Sequence, residues 1–173
     1  MKRIVTVTVL NQSGVLNRIT GLFTKRQFNI ESITVGPTET EGISKMTVIV
    51  HVEDERMIEQ VLKQLNKQID VLKVTDITEQ AIVSRELALI KVMTTPQTRA
   101  EINVVIEPFR ATIIDVAKES ITIQVVGNFE KIEAIIDLLR PYGIKDLART
   151  GQTALPRGSQ KLVTDMKQYS ILK

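Results

Sequence analysis

The spacing of apolar residues changes abruptly at residues 11–16, and this change constrains the fold more than any other feature of the chain. Residues 4–10 read Ile-Val-Thr-Val-Thr-Val-Leu, in which Val and Thr alternate. Such alternation is typical of a half-buried β-strand. From residue 15 the apolar positions follow a helical period instead, and they are Val15, Leu16, Ile19, Leu22 and Phe23. The chain therefore begins with a strand, a tight turn and an amphipathic helix that lies on a sheet.

The same order of elements is predicted twice along the chain. In the first half, the opening strand and helix precede two strands, a helix and a strand, expected at residues 29–36, 46–52, 54–65 and 69–77. In the second half the elements are expected at residues 87–92, 95–106, 112–116, 121–126, 128–139 and 144–148. Each half, about 75 residues long, has the β-α-β-β-α-β order in which two helices cover one face of an antiparallel sheet.

The predicted fold class is α+β, with two consecutive ferredoxin-like units. The domain boundaries are set at residues 1–80 and 81–173, with a tail from about residue 156 that we expect to be partly disordered. Each predicted sheet has Ile and Val on both faces, and only one face is covered by helices. A single-layer sheet of this kind usually packs on a partner, so we expect at least a dimer.

Composition and charge argue against several classes of protein. The chain has no cysteine, so a disulfide is impossible. No apolar run approaches the roughly 18 residues that a bilayer requires, which predicts a cytoplasmic protein without membrane contact. The net charge of +3 comes from residues 156–173, so the remainder is electrically balanced and nucleic-acid binding is not expected.

RNA binding requires separate consideration because one RNA-recognition module shares the split β-α-β plan. That module stacks bases on aromatic side chains of adjacent strands. Here the phenylalanines are predicted within or beside helices, and they are Phe23, Phe28, Phe109 and Phe129. No exposed aromatic pair on neighbouring strands is therefore expected.

The turn at residues 11–16 has the features of a small-anion site. Gly14 leaves the helix start without a side chain, so the first unpaired N–H groups and the positive end of the helix dipole stay accessible. A carboxylate could bind there. The turn has no Lys, Arg or phosphate-binding loop, which favours a zwitterionic amino acid as the ligand. The side-chain amide oxygens of Asn11 and Asn29 could accept hydrogen bonds from its ammonium group. The alternative is an ordinary helix start, because Asn, Ser and Gly are common in caps and turns.

The second half lacks such a turn, and no catalytic motif is visible elsewhere. Residues 93–96 read Met-Thr-Thr-Pro, and proline supplies no N–H, so a ligand site is expected in the first half only. His51 is the single histidine, and it lies on a predicted strand among apolar neighbours. There is no nucleophile elbow, dinucleotide fingerprint, Walker loop or metal-ligand spacing. Catalysis by this chain alone is not expected.

The first half resembles an ACT domain, in the turn at residues 11–16, the helix at 17–23 and the segment Phe28-Asn29-Ile30-Glu31-Ser32. The match is closer still to the small regulatory subunits of acetolactate synthase. It is carried by residues 29–35, 44–47, 65–67 and 70–74, and in the second half by residues 86–92, 109–116, 148–151 and 157–158. The resemblance therefore extends over nearly the whole chain.

This resemblance implies a regulator. Members of the family bind a branched-chain amino acid, usually valine, confer feedback inhibition on a separate catalytic subunit and raise its activity. The catalytic partner is expected to carry thiamine diphosphate, Mg²⁺ and FAD, and this chain no cofactor. The resemblance further implies a homodimer through ACT domains, with the effector between two copies. It assigns one side of that site to Asn11, Gly14, Val15 and Leu16, and the opposing side to Asn29 and Ile30.

Two other functions remain open at this point. A free-standing ACT-type sensor would keep the turn at residues 11–16 but act on another enzyme or on transcription. An enzyme with an unfamiliar site between the two halves would catalyse a reaction on its own. The sequence does not rank valine against isoleucine, because one methylene changes binding by only about 1 to 3 kcal/mol.

Overall fold

The computed structural model describes residues 1–158, apart from the side chain of Glu55. Over this range the elements follow the order β-α-β-β-α-β twice, with one short strand after them. The predicted α+β class with two consecutive ferredoxin-like units is therefore confirmed. No helix in the described range is long and apolar enough to cross a membrane.

The first unit is a four-stranded antiparallel sheet with two helices. Its elements are β1 (Lys2–Leu10), α1 (Val15–Lys25), β2 (Asn29–Pro37), β3 (Ile43–His51), α2 (Glu55–Asn66) and β4 (Val71–Asp76). The strand order is β2-β3-β1-β4, so β2 and β4 are the outer strands of this sheet. One edge of β2 is therefore unpaired within this sheet.

Alternation along β1 decides which face of this sheet the helices cover. Val5, Val7 and Val9 are buried in one apolar core with the buried face of α1, which consists of Val15, Ile19 and Phe23. Each such side chain contributes about 1.5 to 3 kcal/mol through burial. The core therefore holds α1 firmly against the sheet and fixes the position of the turn that precedes it.

The second unit repeats the plan. Its elements are β5 (Ile82–Met93), α3 (Pro96–Ile106), β6 (Thr112–Val116), β7 (Ser120–Gly127), α4 (Phe129–Leu139) and β8 (Ile144–Arg149), with strand order β6-β7-β5-β8. Each helix is followed by a 3₁₀ turn that contains a proline, Pro108 or Pro141. The predicted helix ends at these prolines are confirmed, because proline cannot continue the hydrogen-bond ladder.

A ninth strand, β9 (Thr153–Pro156), was not predicted from the sequence. It pairs with β5, and its Ala154 side chain is buried. The chain divides into compact units between Val83 and Ser84, and β9 belongs with the first unit rather than the second. The sequence boundaries had placed residues 81–83 and β9 in the second domain. The partial disorder predicted past residue 156 concerns mainly residues 159–173, which lie outside the described residues.

Candidate functional site

The start of α1 is open and uncapped. Gly14 occupies the N-cap position in a left-handed conformation (φ 82°), which glycine adopts without the penalty that a Cβ imposes. No side chain caps the helix. Val15 N donates to Gln12 O at 3.4 Å and Arg18 N donates to Gly14 O at 3.0 Å.

Two backbone amides in the first turn of α1 have no hydrogen-bond acceptor among the described residues. No described residue accepts a hydrogen bond from the backbone N–H of Leu16 or Asn17. Both residues are exposed, and their two N–H groups lie in the first turn, at the positive end of the helix dipole. This pair of N–H groups can bind the two oxygens of a carboxylate.

Backbone hydrogen bonds hold the turn in place from behind. Leu10 N donates to Asp70 O at 2.8 Å, and Asn11 N donates to Gly42 O at 2.7 Å. The turn is thus anchored both to the segment before β4 and to the turn between β2 and β3. The open amides of α1 are therefore presented by a fixed loop rather than by a free one.

A guanidinium group lies beside the open helix start, and the sequence analysis missed it. Arg18 Nη2 pairs with the carboxylate of Asp70, whose side chain is only 10% exposed. A Cβ built on Gly14 would lie 3.2 Å from Arg18 Nη1. The sequence argument considered residues 11–16 and found no cation there. The available signal was the spacing of four residues between Gly14 and Arg18, which brings both to one side of the helix.

The structure places the predicted site residues in two separate groups. Asn11, Gly14 and Leu16 are exposed at the start of α1, whereas the Val15 side chain is 3% exposed and belongs to the core. Asn29 and Ile30 begin β2, where Asn29 is exposed and Ile30 is partly buried.

These two groups lie at opposite ends of one sheet. Asn29 is paired with His51, and His51 with Lys2, at the start of β1. Leu10, at the end of β1, immediately precedes the turn. Eight steps of about 3.3 Å separate the ends of β1 by about 26 Å. A single copy therefore cannot bring Asn29 to an ammonium group held near Asn11, contrary to the expectation based on nearness in sequence.

The corresponding helix start in the second unit is capped by side chains. Thr95 Oγ1 accepts from Thr98 N at 3.2 Å, and Thr98 Oγ1 accepts from Thr95 N at 2.8 Å. This capping box uses the amide of Thr98, which corresponds to the open amide of Asn17 in α1. Pro96 removes a further N–H. That only the first unit offers a helix-start site stays a prediction, and these caps are the structural difference that would explain it.

His51 is exposed at the end of β3, and its Nε2 lies 3.5 Å from the N-terminal nitrogen of Met1. Among residues 1–158 no group of three or more His, Cys, Asp or Glu residues is arranged to hold a metal ion. The open amides of Leu16 and Asn17 are the feature of the first unit that suits a small anion.

Two family models together match most of the chain. Residues 5–73 match the model of the AHAS small subunit-like ACT domain, and residues 85–158 match that of the small subunit of acetolactate synthase. The acetolactate synthase small subunit of Bacillus subtilis is 66% identical over 99% of this chain and 100% of its own length. The probable acetolactate synthase small subunit of Archaeoglobus fulgidus is 51% identical over 93% of this chain and 100% of its own length.

A solved structure shows the same fold over nearly the whole chain. The crystal structure of the acetolactate synthase small subunit from Thermotoga maritima has a TM-score of 0.83 and 40% identity, and the match covers 91% of this chain and 98% of that one. Both halves of the sequence and the arrangement of their strands thus agree with one family. This chain belongs to the family of acetolactate synthase small subunits, and its first unit is an ACT domain.

Proposed function

We propose that this chain binds valine, or another branched-chain amino acid, at the open start of α1, and thereby regulates a catalytic acetolactate synthase subunit by feedback inhibition. The observation that carries the proposal is the pair of unused amides of Leu16 and Asn17 behind Gly14. The family explains why an amino acid should be the ligand, and the open amides explain where its carboxylate binds.

The carboxylate end of the ligand is recognised within one copy. The two amides donate to its oxygens, and the helix dipole adds attraction for the negative charge. The Arg18 guanidinium beside Gly14 contributes further positive charge, although the Asp70 carboxylate offsets part of it. The half-exposed Leu16 side chain offers an apolar contact for a branched aliphatic ligand.

The ammonium end is recognised by a second copy. β2 is an outer strand, so its free edge can pair with the β2 strand of another chain. Antiparallel pairing about a two-fold axis reverses the direction of the second strand. The start of that strand, Asn29 and Ile30 of the second copy, then lies beside Pro37 of the first.

Pro37 marks the end of the sheet at which the turn is located. It is paired with Ser44, and Ser44 with Val9, one residue before β1 ends. This pairing buries the two edges. It also places Asn29 of the second copy near the turn of the first, although Asn29 and the turn of one chain are about 26 Å apart, a span of about eight strand residues. A side-by-side homodimer accounts for both groups of predicted site residues.

The regulated reaction takes place on the catalytic subunit. We propose that this partner, and not the chain described here, carries thiamine diphosphate, Mg²⁺ and FAD. The effector binds the paired arrangement of two ACT domains better than any arrangement that separates Asn29 from the turn. Only such a difference in affinity can transmit a signal to the catalytic subunit. Inhibition is then a shift in the population of holoenzyme conformations.

Calorimetric titration of the full chain with valine, leucine and isoleucine tests the proposal. We expect saturable binding of at least one of them, and weaker binding by the Asn29→Ala variant because an acceptor for the ammonium group is lost. Asn66→Ala is a matched control, because Asn66 ends α2 and lies in neither group of site residues. Absence of binding heat for all three amino acids, or equal effects of both variants, would contradict the assigned site.

A further inference from the structure

A second polar site lies on the other face of the ACT sheet, away from the helices. The strand register aligns four threonines in one row across all four strands, Thr34, Thr47, Thr6 and Thr75. The next row contains Gly36, Lys45, Thr8 and Lys73. Two rows of polar side chains on the face that the helices leave open are not explained by the core of this unit.

Part of this polar face is covered and forms a cavity. Thr47 is 3% exposed and Ala154 of β9 is 1% exposed, so β9 shields this region from solvent. Between them is a cavity of about 370 Å³, lined by Lys45, Thr47 and residues 34–39 on one side and by residues 153–155 on the other. The cavity lies within the first unit, to which β9 belongs.

Two polar groups in this cavity lack partners. Thr34 Oγ1 is buried and has no hydrogen-bond partner among the described residues, whereas Thr6 Oγ1 in the same row donates to Thr75 O at 3.3 Å. The Lys45 ammonium group makes no hydrogen bond or ion pair with any residue in the range 1–158. Buried hydroxyl groups and half-buried charges are normally satisfied, so both groups indicate a missing partner.

The electrostatic surroundings of Lys45 indicate the charge of that partner. Burial lowers the pKa of Lys45, the nearby charge of Lys73 lowers it further, and Glu39 acts in the opposite direction. A bound anion would relieve the two effects that disfavour the ammonium form. Glu39 is exposed at the edge of the cavity, and its negative charge disfavours a doubly charged anion such as phosphate.

The remaining lining is apolar or neutral. Ala154 and Leu155 of β9 face the cavity, and the other side chains that reach it are mainly threonines. A ligand with one negative charge, a hydrogen-bond acceptor for Thr34 and a short aliphatic chain fits these walls. We propose that this cavity is a second ligand site, distinct from the start of α1, which binds a small aliphatic monocarboxylate through the ammonium group of Lys45 and the hydroxyl group of Thr34.

Titration of the ¹⁵N-labelled full chain with isobutyrate, followed by NMR, tests this site. Isobutyrate joins the isopropyl group of valine directly to a carboxylate, without the α-carbon and its ammonium group, so it lacks the group for which the effector site needs Asn29. We expect saturable shifts in the amides of Thr34, Lys45 and Ala154 beyond those that matched sodium chloride produces. Shifts confined to residues 11–18, or no saturable shifts, would overturn the proposal.

Two pairs of variants isolate the two contacts. Lys45→Met and Thr34→Val should each weaken isobutyrate binding about ten- to hundredfold, the range for loss of a hydrogen bond to a charged group. Lys73→Met and Thr75→Val carry the same changes on the same face but outside the lining residues, and should stay within about threefold of the unmodified chain. Equal affinity in Lys45→Met and Lys73→Met would refute the role of Lys45.

Thr34→Val also guards against a folding artefact, because valine and threonine have the same shape. Retention of the amide shifts of α2 and β1 in every variant shows that the first unit, which contains all four substitutions, has folded. If Lys45→Met does not fold by this criterion, the isobutyrate affinities of Thr34→Val and Thr75→Val are compared instead. Full isobutyrate affinity in a folded Thr34→Val variant would overturn the assignment, whereas a selective loss supports it.

Discussion

Substitution of Gly14 by aspartate tests the proposed carboxylate site most directly. The new side chain would project from the N-cap position towards the amides of Leu16 and Asn17, where its own carboxylate can accept their hydrogen bonds. A ligand carboxylate would then meet both an occupied donor pair and a like charge. The variant should therefore lose feedback inhibition by valine while keeping activation of the catalytic subunit.

The expected size of the effect follows from the geometry. Two like charges about 5 Å apart repel by about 1 to 3 kcal/mol, depending on how much water screens them. That range corresponds to about 5- to 150-fold weaker binding of valine. Arg18 reduces the repulsion because a Cβ at position 14 lies 3.2 Å from its Nη1, but its pairing with Asp70 limits this compensation.

Gly14→Ala is the matched control for backbone strain. Any residue with a Cβ at φ 82° pays about 1 to 2 kcal/mol, so both variants should unfold at lower urea concentrations than the unmodified chain. Only aspartate adds a carboxylate, so alanine should change valine affinity by about threefold at most. Calorimetry on the three proteins measures the difference. If Gly14→Asp binds valine as tightly as Gly14→Ala, the amides of α1 are not the carboxylate site.

Three further predictions concern stability. Phe23→Ala empties a fully buried position of the first core and should lower the free energy of unfolding by about 3 to 5 kcal/mol, as measured in urea. Thr95→Ala removes the capping box of α3 and should cost about 1 kcal/mol without changing valine binding, which calorimetry checks. Because the folded-state pKa of Lys45 is lowered, the unfolded chain binds more protons, so this residue's unfavourable contribution should diminish as pH rises through that pKa. Relative to Lys45→Met, which has no such titration, the unmodified chain should therefore gain stability from about pH 7 to about pH 10, as measured in urea. No relative gain, or a relative loss, would refute this.

Most of the fold could be predicted because its determinants are local. The alternation of Val5, Val7 and Val9 and the helical spacing from Val15 to Phe23 each depend on a few neighbouring residues. Prolines and caps then mark the helix ends. The four-residue strand β9 has no such pattern. Its position depends on pairing with β5, and so it could not be predicted from local sequence.

The candidate site was only partly predictable for the same reason. The open turn at Gly14 is a local feature and was identified from the sequence. The pairing of Arg18 with Asp70 joins residues 52 positions apart. The register that places Asn29 about 26 Å from the turn is likewise a property of the folded sheet, since strand residues advance by about 3.3 Å each. The cavity beside Lys45 is lined both by residues of the segment 34–47 and by β9. Neither of these two segments predicts a cavity when its sequence is considered alone.

Because Asn29 and Gly14 are far apart within one chain, sensitivity to valine should depend on the concentration of the protein. In the proposed homodimer, each chain holds one half of two effector sites, and a symmetric pair completes both at once. Dilution below the dissociation constant of the pair should therefore abolish sensitivity to valine even though every chain remains folded. A mixture of Gly14→Asp and Asn29→Ala chains should recover one intact site in each mixed pair, a complementation that a site contained in a single chain could never show.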